Sequence, residues 1–552
     1  MKKILGILVT SFVLFSCTED FINKQPLGVE TNVIFYDKVE NCELAVNAIY
    51  DPLGWESMYQ VGMMALGDMT SDDAEKGGGD NVLQYKSDQG AIFDIVTFTV
   101  NPINGYLADI WDASYIGIAR ANAMLDATNK IDATNDDYQT FKRLRGEARF
   151  LRALYYFDLV RIYGPVPLLK QAIAPADAID VGNRADGDDA QGTKQVKAIY
   201  DFIIEELEAI QNDVPWTYNA DNYGRVTAAA AKALLAKAYL YKADIFSNSD
   251  NEYEKAYLAA KEVLDNASYG LEAKYQDIFD LNLENESSKE FIFTIQFTSG
   301  SSTLRGGEGS IRPIYVTPRF FINAQGKPEK KDGYGYGFNI PRQDLIDAFD
   351  ANDPRLDMVL AEGDSLYCNA FGSPQWTKIA KVDWNTGYYC MKGSVNYEQF
   401  AGFNTQVIGK NIPVIRYADV MLIAAEAGFK DGGYKAEALK YVNDIRKRAR
   451  ESKRVLNAYN DYTYSVGTVP ADLSAITLDD IKKERRLELY CEGHRFFDLV
   501  RWGDADAILG AITKDVAGYP VLWNPATLGR MPIPQAQINL HTGGKLVQNP
   551  GY

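Results

Sequence analysis

The sequence predicts a mainly α-helical protein whose helix pairs are interrupted by one long irregular insertion. Apolar residues recur at helical spacing in consecutive segments, and one helix of the clearest pair is built almost entirely from small or apolar residues. Residues 285–412 are instead rich in Gly, Pro, Tyr and Asn. Because no Pro/Ser-rich linker divides the 552 residues, we expect one helical body preceded by an export signal.

The first element is an apolar run that starts after Lys2 and Lys3 and stops at Cys17. As a helix it would span about 20 Å, less than the roughly 30 Å hydrocarbon core of a bilayer. A buried core helix would instead show an amphipathic stripe and no basic start. We therefore predict a signal peptide over residues 1–16. The letters "LFSC" resemble a bacterial lipobox, which predicts that acylated Cys17 anchors the mature chain in lipid.

Two helix pairs can be traced in the body of the chain. Residues 228–243 are small or apolar on nearly every face, and residues 253–264 follow with an apolar stripe at helical spacing. Small residues on the inner helix let its partner approach closely, as in a tetratricopeptide repeat pair. A similar pair lies at 417–449, and a further helical block spans about 106–163. In the insertion between them, "KEFIFTIQF" predicts a short strand, followed by loops.

Charge and cysteine content limit the classes of partner. Removing residues 1–16 leaves 55 basic and 75 acidic residues, a balance of −20 that argues against nucleic acid as a partner. The sequence shows no metal-binding spacing of cysteines and has only two histidines, so we expect no metal and no other cofactor. A disulfide between Cys368 and Cys390 would be compatible with an extracytoplasmic location, and the sequence leaves it open.

Two segments share the pattern F-D-L-V-R followed by an aromatic residue and a glycine, at 157–164 and 497–503. The second lies in a stretch whose acids and histidine could supply the acid and base of a glycosidase. These residues are Glu484, Glu488, Glu492, His494 and Asp498. Arginines occur within three or four positions of each acid, so we favour ion pairing between packed helices over catalysis.

Nine segments, in order, resemble the hallmark segments of the SusD/RagB family of Bacteroidetes surface lipoproteins. They are "GEARFLRALYYFDLVRIYGPVPL", "GRVTAAAAKALLAKAYLYKA", "YEKAYLAAKEVLDNASYG", "ENESSKEFIF", "DLIDAFDANDPRL", "IPVIRYADVMLIAAEA", "ALKYVNDIRKRA", "ERRLELYCEGHRFFDLVRWG" and "RMPIPQAQINLHTGGKLVQNPGY". The resemblance covers nearly all of residues 17–552.

This resemblance implies a fold and a location. The fold is mainly α, with about four tetratricopeptide-like helix pairs and a loop-rich, partly β insertion at about 285–412. Such proteins are anchored in the outer membrane, face the cell exterior, and sit over a SusC-like TonB-dependent transporter. Glu19 and Asp20, just after Cys17, are similar to the signal that exports such lipoproteins to the cell surface.

Ligand residues are expected in loops, because aromatic residues on the helices fit packing positions. Sugar rings stack on Trp and Tyr, and their hydroxyls bind polar side chains. The candidates lie in the loops after the first helix and in the insertion. They are Trp55, Tyr59, Asp72, Asp73, Tyr85, Tyr315, Tyr334, Tyr336, Trp376 and Trp384, with Arg312 and Asn339 as polar additions. The run "SDDAE" lacks the spacing of a calcium loop, so no metal is assigned there.

The leading hypothesis is a non-catalytic surface lipoprotein that binds a glycan and delivers it to a SusC-like transporter. A peptide ligand is the alternative within the same architecture, and the charge of −20 would then favour neutral or basic peptides. A surface glycosidase would need two carboxylates roughly 5 to 9 Å apart in a cleft, which sequence spacing does not reveal. A repeat scaffold that binds only protein partners is the third class.

Overall fold

The computed structural model describes residues 35–281, 288–299, 309–330, 335–368, 375–395, 408–458 and 461–552. The predicted signal peptide, the predicted lipidation residue Cys17 and the ligand candidate Tyr334 lie outside these ranges. The longer described helices are α1 (Val39–Tyr50), α2 (Gly105–Thr128), α3 (Tyr138–Tyr163), α4 (Thr193–Ala209), α5 (Ala228–Phe246), α6 (Glu252–Leu264), α7 (Tyr417–Asp431), α8 (Lys435–Arg450), α9 (Leu478–Leu489) and α10 (Arg495–Trp502).

Shorter helical segments connect these helices. The α-helical ones are Gly62–Met64, Val82–Ser87, Gly90–Val96, Pro175–Ala178, Arg312–Val316, Gln343–Ala348, Ala505–Leu509 and Gln535–Leu540. The 3-10 turns are Asp51–Gly54, Ala220–Asn222, Gln276–Phe279, Pro354–Met358, Pro525–Thr527 and Thr542–Gly544, and π-helical turns lie at Glu56–Gln60 and Ala65–Met69.

Helix α5 shows why the scaffold forms. Thr227 caps its N-terminus by accepting the backbone N–H of Ala230 at 3.1 Å. Residues 228–243 are all buried, and the alanines among them leave room for α4 on one side and α6 on another. The small, apolar pattern in the sequence therefore corresponds to a helix that is packed on several sides.

Successive helices pack against one another through most of the scaffold. Helix α3 contacts α2 and α4, α5 contacts α4 and α6, and α7 contacts α6 and α8. Helix α1 packs on α2 and α3, so the N-terminal helix closes one end. The mainly α fold with tetratricopeptide-like pairs, which the sequence predicted, is confirmed.

The strands are short and pair two by two. They are β1 (Ala74–Gly77), β2 (Phe291–Ile295), β3 (Phe320–Ile322), β4 (Pro328–Lys330), β5 (Phe338–Pro341), β6 (Val359–Leu360), β7 (Ser365–Cys368), β8 (Gln375–Lys378), β9 (Tyr389–Cys390), β10 (Ile412–Arg416), β11 (Lys453–Ala458) and β12 (Asp461–Ser465). All pairs are antiparallel: β1 with β5, β2 with β10, β3 with β4, β6 with β9, β7 with β8, and β11 with β12. The pairing of β1 with β5 joins the N-terminal loops to the central segment.

The open question of a disulfide is answered at Cys390. Its thiol is free and buried on β9, and it packs with Cys491 in one apolar cluster. Cys390 therefore does not pair with Cys368. Among the helices that the structure describes, none combines the length and the apolar character needed to span a membrane.

Candidate functional site

The loops after α1 are fixed by contacts with the C-terminal part of the chain. A Cβ atom on Gly67 would lie 2.2 Å from the carbonyl oxygen of Gly493, so this crossing requires glycine. Asp68 accepts the N–H of Gly493 at 2.7 Å and the side-chain amide of Asn339 at 3.2 Å. Asn339, considered above as a polar ligand group, is therefore a buried support for the loop.

Asp72 and Asp73, two of the predicted ligand residues, belong to the same anchorage. Arg495 donates to the two carboxylate oxygens of Asp72 at 2.8 and 2.9 Å, and Arg486 donates to Asp73 at 2.6 Å. Both carboxylates are buried. Their assignment as ligand residues is thus corrected, because arginines that are 413 and 423 positions away along the chain already bind them.

Tyr59 and Tyr85 also lie inside the protein rather than on a binding surface. Tyr59 donates to Asp158 at 2.8 Å within the core. Tyr85 is fully buried, with its ring stacked on Tyr519 at a centroid distance of 6.2 Å. Both tyrosines were predicted as ligand residues because their segments were expected to be loops. The structure instead places them on short helical segments, Glu56–Gln60 and Val82–Ser87, that bury both rings, so their assignment as ligand residues is corrected.

A cavity of about 380 Å³ brings together two predicted residues, Tyr315 and Tyr336. Their ring centroids are 5.4 Å apart with the planes at 76°. The cavity has an apolar side and a polar side, as expected for a site that binds an amphipathic ligand. The remaining lining residues are Glu56, Asp88, Gln89, Ile311, Ile314, Arg319 and Phe338.

A larger cavity of about 1100 Å³ lies beside α1 and the start of α2. The predicted Trp55 lines it, together with four further aromatic residues, Tyr50, Tyr106, Tyr223 and Phe297. Strand β2 and the residues just after it form one wall. The polar lining residues include Asn47, Asp51, Glu56, Asp109, Asp112, Asp221, Asn222, Arg225 and Gln296.

Glu56 lines both cavities and joins them. Its Oε1 accepts hydrogen bonds from the hydroxyls of Tyr106 at 3.1 Å and Tyr315 at 2.9 Å. Burial raises the pKa of both tyrosines, and the nearby carboxylate raises each pKa further, so both hydroxyls stay protonated and donate. We call the two cavities and this shared wall the Glu56 groove.

The two tryptophans of the insertion lie outside the Glu56 groove. Trp376 is 43% exposed on β8 and lines neither cavity. Trp384 donates its indole N–H to the carbonyl of Gly79 at 3.1 Å and packs edge-on against Phe320. Trp384 therefore connects two loops, and its assignment as a ligand residue is corrected. Arg312 also lies outside the groove lining and donates to the carbonyl of Cys491.

Several groove residues were missed in the sequence, mainly on α2. Tyr106, Asp109 and Asp112 are one turn apart at its N-terminal end, where Asn104 caps the helix. The one signal for them is the helix start at "NPING", since binding groups often lie where a loop meets a helix. Glu56 was missed because its role depends on two tyrosine hydroxyls from distant segments.

The acids near the second F-D-L-V-R segment form a buried ionic cluster. Glu488 lies between Arg416 and Arg448 at 2.7 and 2.5 Å, and Glu484 pairs with Arg355 at 2.6 Å. Ion pairing, the favoured interpretation, is thus observed, but most partners come from distant segments. Burial lowers the pKa of His494 well below its usual value, and nearby Lys237 lowers it further. In the part of the chain that the structure describes, no group of three or more acidic, His or Cys side chains is arranged to hold a metal.

A helical scaffold whose loops enclose an amphipathic groove is typical of repeat proteins that bind a ligand. Two family models match this chain: the SusD family over residues 289–552, and a model described as "Starch-binding associating with outer membrane" over residues 35–240. The chain belongs to the SusD/RagB family.

Similar proteins cover nearly the whole chain. A SusD-like protein from Formosa agariphila is 25% identical over 521 residues, covering 92% of each chain. The starch-binding protein SusD of Bacteroides thetaiotaomicron is 26% identical and covers 79% of this chain and 76% of its own. Among solved structures, a laminarin-binding SusD-like protein superposes with a TM-score of 0.72 at 26% identity, covering 93% of this chain and 99% of the other.

Proposed function

We propose that this chain is a non-catalytic lipoprotein that binds oligosaccharides or polysaccharides in the Glu56 groove and delivers them to a SusC-like TonB-dependent transporter. In this proposal, residues 1–16 are removed and acylated Cys17 holds residues 17–552 at the outer face of the outer membrane. The long insertion at about 285–412 contributes the central wall of the groove.

The observation that carries the proposal is the composition of the groove. The partly exposed rings of Trp55 and Tyr336 supply apolar faces on which sugar C–H groups can stack, while the buried Tyr315 packs against Tyr336 and donates to Glu56. Carboxylates, amides and hydroxyls beside them offer hydrogen-bond partners to sugar hydroxyls. The names of two similar proteins, a starch-binding protein and a laminarin-binding protein, support the same ligand class.

Binding is tested by affinity electrophoresis of the full chain, purified in detergent, against starch, laminarin, dextran and other polysaccharides. The wild type is compared with a Trp55→Ala, Tyr336→Ala double variant and with Trp376→Ala as the control for loss of an indole outside the groove. We expect retention on one class of glycan, loss of retention in the double variant, and no change in the control.

Each other result has a defined meaning. Retention that survives the double variant would preserve glycan binding but remove the groove as its site. Release of new reducing ends would contradict the non-catalytic role. Retention on no glycan, combined with binding to a peptide library, would establish the peptide alternative.

Anchorage and delivery are tested in cells. Cys17→Ser should move the protein from the outer-membrane fraction to the soluble fraction, because no acyl chain can then be attached. A TonB-dependent transporter should co-purify with the wild-type chain from solubilised outer membranes. Membrane retention of the Cys17→Ser variant would contradict the lipid anchor, and absence of a co-purified transporter would contradict the delivery role.

A further inference from the structure

The charged residues that line the larger cavity are mostly negative. Five carboxylates face one guanidinium, that of Arg225. The carboxylates are those of Asp51, Glu56, Asp109, Asp112 and Asp221. We propose that this cavity selects uncharged, hydroxyl-rich glycans and rejects sulfated and uronic-acid chains. This inference rests on the proposed function and names the ligand class of the same groove.

Arg225 is not available to bind an anionic ligand. It donates to Glu147 at 3.0 Å, to Asn47 at 3.2 Å and to Asn222 at 3.1 Å. Glu147 is buried and also accepts from Arg143, which in turn pairs with Glu43 at 2.8 Å. The two arginines and two glutamates of this cluster balance one another, so the cluster adds little positive potential to the cavity.

Most of the lining carboxylates lack such compensation. Asp51 has Arg120 at 3.3 Å, whereas Glu56 is held by two tyrosine hydroxyls and Asp112 by the side-chain amide of Gln537. Within the described ranges, no cationic side chain forms an ion pair with Glu56, Asp109, Asp112 or Asp221. Four negative charges therefore face the cavity.

The smaller cavity shows the same bias. Arg319 is the guanidinium in its lining, and it is bound by Asp88 at 2.9 Å and by Asp80. Among the described carboxylates that line the smaller cavity, Asp88 is therefore paired with Arg319, and Glu56 is the one without a cationic partner. The carboxylate oxygens of the Glu56 groove that lack a positive partner thus lie mainly in the larger cavity. Such oxygens accept hydrogen bonds from sugar hydroxyls, and like-charge contact with a sulfate or a uronate is costly.

Asp109 and Asp112 are the pair that offers the cleanest test. They lie three residues apart on α2, both are exposed to the cavity, and each can become an amide without loss of shape. Burial raises the pKa of Asp112, and the negative charge of the neighbouring Asp109 raises it further. Replacing both by Asn removes two negative charges and keeps hydrogen-bond acceptors.

The experiment compares matched ligands on the full chain by isothermal titration calorimetry. The probes are laminarin, soluble starch and dextran, each beside its chemically sulfated derivative, with polygalacturonate as the uronate chain. For the neutral glycan that binds, we expect its sulfated form to bind about tenfold more weakly or worse. The Asp109→Asn, Asp112→Asn variant and added salt should both narrow this gap, since both reduce the repulsion.

The matched control is Asp136→Asn, Glu205→Gln, which removes the same two charges from exposed positions outside both cavity linings. It should leave the gap unchanged. Equal or tighter binding of the sulfated form by the wild type would overturn the selectivity and leave glycan binding intact. If the control reduces the difference in affinity between the neutral and the sulfated glycan as much as the Asp109→Asn, Asp112→Asn variant does, the role of these two carboxylates is overturned. Binding to no probe would overturn both this inference and the proposed function.

Discussion

Glu488 and Asp109 are both carboxylates on helices of one scaffold, but their surroundings are opposite. Glu488 has no exposed surface and lies between the guanidinium groups of Arg416 and Arg448. Asp109 faces the larger cavity, and among the described side chains no cation pairs with it. Acidic residues in this chain therefore divide into buried ones that join segments through ion pairs and exposed ones that are accessible to a ligand.

Burial and ion pairing determine how much the loss of a carboxylate of either kind destabilises the fold. A buried carboxylate that loses its partners, or leaves them unpaired, destabilises the fold, whereas an exposed one changes mainly the local potential. Burial alone would raise the pKa of Glu488, but Arg448, Arg416 and Arg355 lower it to about 2. Its contribution to stability is therefore present above its ordinary pKa and is lost only as the pH falls toward 2.

The largest effect is expected from breaking the buried cluster. Glu488→Ala removes one of the two buried carboxylates, Glu488 and Glu290, that pair with both Arg416 and Arg448. Because this leaves buried positive charge uncompensated, the free energy of unfolding should fall by about 3–5 kcal/mol. Urea unfolding followed by tryptophan fluorescence measures this change. The comparison variant Asp109→Asn, Asp112→Asn should change the same quantity by no more than about 0.5 kcal/mol. Similar losses in the two variants would remove the distinction between the two classes.

A smaller effect on the free energy of unfolding is expected at Glu75, a buried carboxyl whose pKa is raised rather than lowered. Burial raises its pKa to about 7, with Asp515 adding to the shift and Arg342 opposing it. The folded state therefore keeps the proton more tightly than the unfolded chain, and stability falls as the pH rises from about 4 to about 7. Glu75→Gln mimics the protonated form. The free energy of unfolding of this variant, minus that of the wild type, should therefore be about 3 kcal/mol larger at pH 8 than at pH 4.

Unfolding curves at the two pH values test this prediction. Glu40→Gln, at an exposed carboxyl on α1, is the matched control and should show no comparable difference between the two conditions. An equal difference in free energy between Glu75→Gln and the wild type at pH 4 and pH 8 would show that the pKa of Glu75 is the same in the folded and unfolded states, which would contradict the prediction.

The smallest effect concerns the wall that joins the two cavities. Tyr315→Phe removes one donor from Glu56 and leaves its carboxylate less constrained, so glycan affinity should fall by about fivefold. Calorimetry with the neutral glycan measures the loss. Tyr388→Phe removes an exposed hydroxyl bound to Gln343 and should leave affinity unchanged. Unchanged affinity in Tyr315→Phe would show that Glu56 contributes nothing through this contact.

The scaffold was predictable because its signals are local. The small and apolar residues of α5, the stripe of α6 and the capping box of Thr477 and Asp480 at α9 each indicate a helix without knowledge of any distant contact. The overall fold follows from such segments and from the order of hallmark motifs.

The groove was predictable only in part, because it depends on which loops turn inward. Of the aromatic candidates, Trp55, Tyr315 and Tyr336 line it, and their role in binding a ligand stays a prediction. Asp72 could not be distinguished from a ligand residue, since Arg495 reaches it from the other end of the chain. Asp109 was overlooked because an exposed acid on a helix is ordinary in sequence, and its cavity is formed by β2 and the turn near Gly224.

The crossing of Gly67 with Gly493 also sets the order in which this molecule can be completed. A chain that emerges N-terminus first must wait for residues 486–495 before Asp68, Asp72 and Asp73 find their partners. Closing a loop of that length is slow, because its ends meet rarely compared with those of neighbouring helices. Neighbouring helix pairs can therefore form early, whereas the loop that carries Asp68, Asp72 and Asp73 is fixed only once nearly the whole chain is present.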